Sequence, residues 1–119
     1  MNVVLQPIII SSILDKNLFA LYTNNDGSIP KITIDNPSIS LNEILGQFIS
    51  ENIHLEKDSY DGQLLSIENS SDALIINYGC MIPNFSKLKS GKWINIEEVF
   101  NEENIQYIQY FSLFSERFV

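Results

Sequence analysis

The chain has 119 residues, 45% of them apolar, with 15 carboxylate side chains against 7 basic ones and a formal net charge of −8. That length supports one domain with a real core, so residues 1–119 are read as a single domain. The acidic balance argues against a nucleic-acid surface, which needs clustered Lys and Arg, and no apolar run approaches the roughly 20 residues of a membrane span.

The only cysteine, Cys80, excludes an internal disulfide and a cysteine cage for metal. Its expected place is the interior, as a small apolar side chain. Met1-Asn2-Val3-Val4 lacks the basic start and small-residue cleavage site of a signal peptide, which predicts a soluble, cytoplasmic protein.

In chain order, Val3-Val4-Leu5 and Ile8-Ile9-Ile10 have the unbroken apolar character of a strand buried on both faces. Pro7 interrupts it, so either the strand starts near Ile8 or Pro7 sits at an edge or bulge. Asp15-Lys16-Asn17 supplies a turn and Leu18-Phe19-Ala20-Leu21-Tyr22 returns as a second strand of a hairpin. Asn24-Asn25-Asp26-Gly27-Ser28 is a turn cluster, and Ile32 and Ile34 alternate with polar residues as a short half-buried strand does.

Ser40-Leu41-Asn42-Glu43 has the form of a capping box, and Leu41, Ile44, Leu45, Phe48 and Ile49 follow at helical spacing. This predicts a helix lying on a core, ending near Asn52-Ile53-His54. Gln63 to Ile67 reads as a strand and Asn69-Ser70-Ser71-Asp72 as a turn. Ala73 to Ile82 is the longest strand-like run and takes a central place in a sheet, with Gly79 marking a bulge or a close approach. Pro83 ends it, Lys92 to Ile96 alternates as a short strand, and Glu97 opens a terminal helical stretch carrying Ile105, Ile108 and Phe111.

Lys87, Lys89 and Lys92 are the one local excess of positive charge, either a solvated loop or the seat of an anionic small molecule. Glu97, Glu98, Glu102 and Glu103 are the acidic counterpart, either an exposed helix start or a patch that docks on a basic protein. His54 is the only histidine, which excludes a histidine-rich zinc site, and no G-x-S-x-G elbow or glycine-rich phosphate loop is present.

The order of strands, helix, further strands and terminal helix resembles the Nudix superfamily. The locally matching segment is Gly91-Lys92-Trp93-Ile94-Asn95-Ile96-Glu97-Glu98-Val99, which looks like the family's late strand-to-helix passage. The resemblance implies an α+β fold, a Nudix-like mixed β-sheet packed by one central helix and a C-terminal helix. It also implies a box, G-x5-E-x7-R-E-U-x-E-E-x-G-U with U aliphatic, whose carboxylates hold divalent metal against a diphosphate.

With its last position on Leu55, the box's first glycine becomes Thr33 and its first glutamate Ile39. Its arginine and next glutamate become Gln47 and Phe48, the paired glutamates become Glu51 and Asn52, and the last glycine becomes His54. Ile49 and Leu55 fit the aliphatic places, and Glu51 is the one residual metal candidate. A single carboxylate does not reproduce such a site, although magnesium is held by as few as one or two protein carboxylates plus substrate phosphates.

From this follow a degenerate box, no cofactor, no catalytic residue and the expectation that the chain is not an enzyme. The leading reading is a non-catalytic interaction protein, of inhibitor or immunity type, whose acidic surface covers a basic protein partner. The alternative is a nucleotide or nucleotide-sugar binding domain using Tyr78, Lys87, Lys89, Lys92 and Trp93. A divergent metal-dependent Nudix hydrolase stands third. The aromatic residues of the terminal stretch suit a core or a homodimer surface.

Overall fold

β1 (Asn2–Ile13) is the strand on which the sheet is assembled. In a computed structural model, which describes residues 2–13, 18–55, 60–83 and 86–95, it is followed by β2 (Leu18–Thr23), β3 (Ile32–Thr33), α1 (Leu41–Asn52), β4 (Gln63–Asn69), β5 (Ala73–Pro83) and β6 (Lys92–Asn95). The strands run β4-β5-β1-β2-β6 across one sheet, with β3 also paired to β1. β1 and β5 are parallel and the other pairs antiparallel, so the sheet is mixed and the α+β expectation holds. The expected terminal helix and the Asp15-Lys16-Asn17 turn lie outside the described residues.

β1 runs straight through Pro7, neither starting at Ile8 nor lying at an edge. Its β5 side is paired from Asn2 to Ser12, while its other side pairs with β3 at Val4 and Leu5 and with β2 only from Ile10 onward. Main-chain groups of successive residues face opposite sides of a strand. The Ile8 carbonyl faces β5, where a Cβ on Gly79 would strike it. The nitrogen of Pro7 therefore faces the other side, in the stretch where the neighbouring strand changes. No ladder bond is lost there, and the close approach expected at Gly79 is found.

Alternation along the strands divides the apolar residues between two faces. Leu5 and Ile9 of β1, Tyr22 of β2 and Tyr78, Cys80 and Ile82 of β5 pack with Leu45, Ile49 and Ile53 into one core. Ile8, Ile10 and Leu21 are buried on the opposite face. Each such aliphatic side chain contributes about 1.5–3 kcal/mol by leaving water.

α1 starts where the sequence predicts. The Ser40 hydroxyl accepts a hydrogen bond from the Glu43 amide at 3.1 Å, satisfying a donor of the first turn. Leu45 and Ile49 are buried, and Leu41, Ile44 and Phe48 flank them against the core. Beyond Asn52 the backbone turns extended at Ile53, whose amide closes the helix on the Ile49 carbonyl at 2.8 Å.

Candidate functional site

The last carbonyls of a helix lack partners within it, and here a second segment supplies them. Residues 86–90 run past the carboxyl end of α1, with an isolated bridge between Ile53 and Leu88. The His54 amide donates to the Lys87 carbonyl at 2.7 Å, and the amides of Lys89 and Ser90 donate to the Asn52 carbonyl at 2.8 and 3.3 Å. The Asn52 side chain completes the joint: its amide nitrogen donates to the Phe48 carbonyl at 2.8 Å, and its oxygen accepts from the Ser90 hydroxyl. The Lys89 ammonium donates to the Ser50 carbonyl at 2.8 Å, placing a cation at the negative end of the helix dipole.

Under this joint lies an aromatic group. The Tyr22 ring meets Phe48 edge-on at 5.6 Å and 85°, and Trp93 edge-on at 5.9 Å and 83°. The Tyr22 hydroxyl donates to the Ser90 carbonyl at 2.9 Å, and the Trp93 indole N–H to the Ser86 carbonyl at 3.0 Å. Gly91 makes the turn at φ +80°, where a Cβ would also stand 2.6 Å from the Thr23 carbonyl. Beside the joint is an open depression of about 330 Å³ lined by Ser50, Ile53, His54, Leu55 and Lys89.

The residues predicted from sequence to bind a ligand divide between three places. Lys87 and Lys89, both exposed, lie in the segment docked on the carboxyl end of α1, and half-buried Trp93 follows on β6, tied back to that segment by its indole N–H on the Ser86 carbonyl. Tyr78 on β5 sits near the other end of the helix, its hydroxyl donating to the Asn42 side-chain oxygen at 2.7 Å. Desolvation pushes that phenol up, with Cys80 adding to the shift. Lys92 pairs across from Thr23, one residue out of step with Trp93 and Tyr22, so it projects from the face away from α1. The Asp26 carboxyl is held below its usual range chiefly by the Ser28 hydroxyl and then the Ser28 amide, with a smaller effect from Lys92. Glu97, Glu98, Glu102 and Glu103 lie outside the described residues.

Sequence reasoning passed over Ser90, its link to the Asn52 side chain and the meeting of Phe48 with Tyr22. Helical spacing turns Phe48 inward and alternation turns Tyr22 to the same side, but their contact depends on how α1 lies across the sheet.

The metal implied by the resemblance finds no matching donor set among the described residues. Among the described residues no three of His, Cys, Asp or Glu stand together in a group that holds an ion. Glu51 accepts from the Gln47 amide nitrogen at 3.3 Å, and its neighbours at the box positions are the Phe48 ring and the Asn52 amide.

No protein-family model matches the chain, and no curated protein matches it. Among solved structures it is similar to an Ap4A hydrolase of C. elegans in a binary complex, with a TM-score of 0.65 and 11% identity over 99% of this chain and 100% of that one. It is also similar to a MutT/nudix family protein from Enterococcus faecalis, with a TM-score of 0.55 and 11% identity over 79% of this chain and 43% of that one. The fold is Nudix-like. The expectation that the chain is not an enzyme is corrected by this likeness: a Nudix-like fold is shared with a hydrolase, and nothing among the described residues shows the chain to be non-enzymatic. At 11% identity the Nudix-like likeness establishes the fold and leaves activity to be measured.

Proposed function

We propose that the protein binds a nucleotide bearing a phosphate chain, of the dinucleoside polyphosphate type, at the carboxyl end of α1. The observation that carries this reading is the docking of residues 86–90 on the helix end. It sets exposed Lys89 in the lining of a depression of about 330 Å³, with exposed Lys87 two residues before it and half-buried Trp93 following on β6. Lysines give charge-assisted hydrogen bonds to phosphate oxygens, and an indole offers a face to a base. Likeness to an Ap4A hydrolase over 99% of the chain supports the ligand class.

Thermal unfolding against Ap4A, nucleoside diphosphates and nucleotide-sugars, with and without magnesium, tests the reading, and chromatography of each mixture reports turnover. Ligand at about one hundred times its dissociation constant stabilises by roughly 2.7 kcal/mol, a rise of several degrees for a domain of this size. A selective rise that Lys87→Glu abolishes is the expected outcome. An unmoved midpoint across the panel overturns it.

A further inference from the structure

Resting on the nucleotide reading, we infer that the Lys89 ammonium takes the electrostatic place of a divalent metal, so that the site binds a pyrophosphate group without one. Three neighbouring observations on α1 converge on this. The Phe48 ring is committed edge-on to Tyr22 and is no ligand for a hard cation. Both ends of the Asn52 amide are engaged, one on the Phe48 carbonyl and one by the Ser90 hydroxyl. Glu51 is left as the single carboxylate on that part of the helix, and Glu43 stands two turns away, about 12 Å along the axis at 1.5 Å per residue.

The positive charge is already present and held in place. Lys89 is fixed on the Ser50 carbonyl at 2.8 Å and lines the depression. An ammonium has three N–H donors, and Ser50 takes one of them. A resident ammonium also repels a second cation at this helix end while attracting phosphate.

Thermal unfolding and calorimetric titration with inorganic pyrophosphate and with Ap4A, each in excess EDTA and in excess magnesium or manganese, decide the matter. The expected result is the same affinity in both conditions. Lys89→Gln, which keeps a donor for Ser50 but removes the charge, weakens binding about tenfold or more in both. Magnesium or manganese alone leaves the wild-type midpoint where it was. The double variant Phe48→Glu with Asn52→Glu, where it folds, gains a metal-induced rise, because it gathers three carboxylates with Glu51.

Binding of either probe only in the presence of divalent metal overturns the inference and leaves the nucleotide reading standing. A metal-induced rise in the wild type that Glu51→Gln abolishes overturns it equally. Failure of both probes under every condition overturns the nucleotide reading and the inference with it.

Discussion

Cys80 shows what a single position in the sheet does to a reactive group. It faces the core from β5, fully buried, and desolvation pushes its thiol from 9.0 up to about 12. The folded state holds the neutral thiol while the unfolded chain ionises near 9.0, so this contribution to stability is fully present below pH 9 and is lost as pH rises toward 12. Tyr78 shifts in the same direction. The denaturation midpoint of the wild type is therefore expected to fall above pH 9 more steeply than that of Cys80→Ala, and parallel slopes would refute the assignment. Burial of Cys80 was legible in the sequence because it falls in an apolar strand run. The neighbours of Phe48 were not, since a ring at a helical core position gives no sign of which strand it will meet.

At the scale of elements, α1 was the most legible part of the chain. Its start and its apolar face follow from local chemistry, the Ser40 cap and the helical spacing of apolar residues, while its end at Asn52 is closed by the Ile53 amide and by the docked residues 87–90. Loss of the Ser40 hydroxyl leaves a first-turn amide without its acceptor. Ser40→Ala is expected to lower stability by about 1 kcal/mol in urea denaturation with an unchanged slope, and an unchanged midpoint would mean that water replaces the cap fully. β1 was harder to read. Proline normally marks an edge, and its place inside the sheet depends on two partner strands, β3 and β2, that meet β1 on either side of Pro7. The joint between α1 and residues 87–90 was equally hidden, because it is made mostly by main-chain groups that any sequence carries.

Across the whole molecule, register decided which charged residues come together. Lys87, Lys89 and Lys92 are neighbours in the chain, but the strand that begins at Lys92 sends that side chain to the face opposite Trp93. Charge clustering in one dimension thus overstated the patch, while the order of elements was enough to indicate the Nudix-like fold. Tyr22 ties α1, β6 and residue 90 to the core, and Trp93 is the only tryptophan. Trp93 fluorescence and far-UV circular dichroism are accordingly expected to report one coincident unfolding transition. An earlier fluorescence transition would show that residues 86–95 detach before the sheet melts.

The parallel pairing of β1 with β5 also bears on how the chain reaches this state. Asn2 lies against Ala73 and Val3 against Leu74, so β1 is completed by β5, with β2, β3, α1 and β4 between them in the chain. Closing so long a loop costs entropy before any contact rewards it, which slows folding relative to a chain of local hairpins. During synthesis the Ile8-Ile9-Ile10 run has β2 beside Ile10 and α1 against Ile9, but its β5 side stays open until β5 is made. The seam that anchors the finished sheet is thus the one that leaves the nascent chain longest open to aggregation.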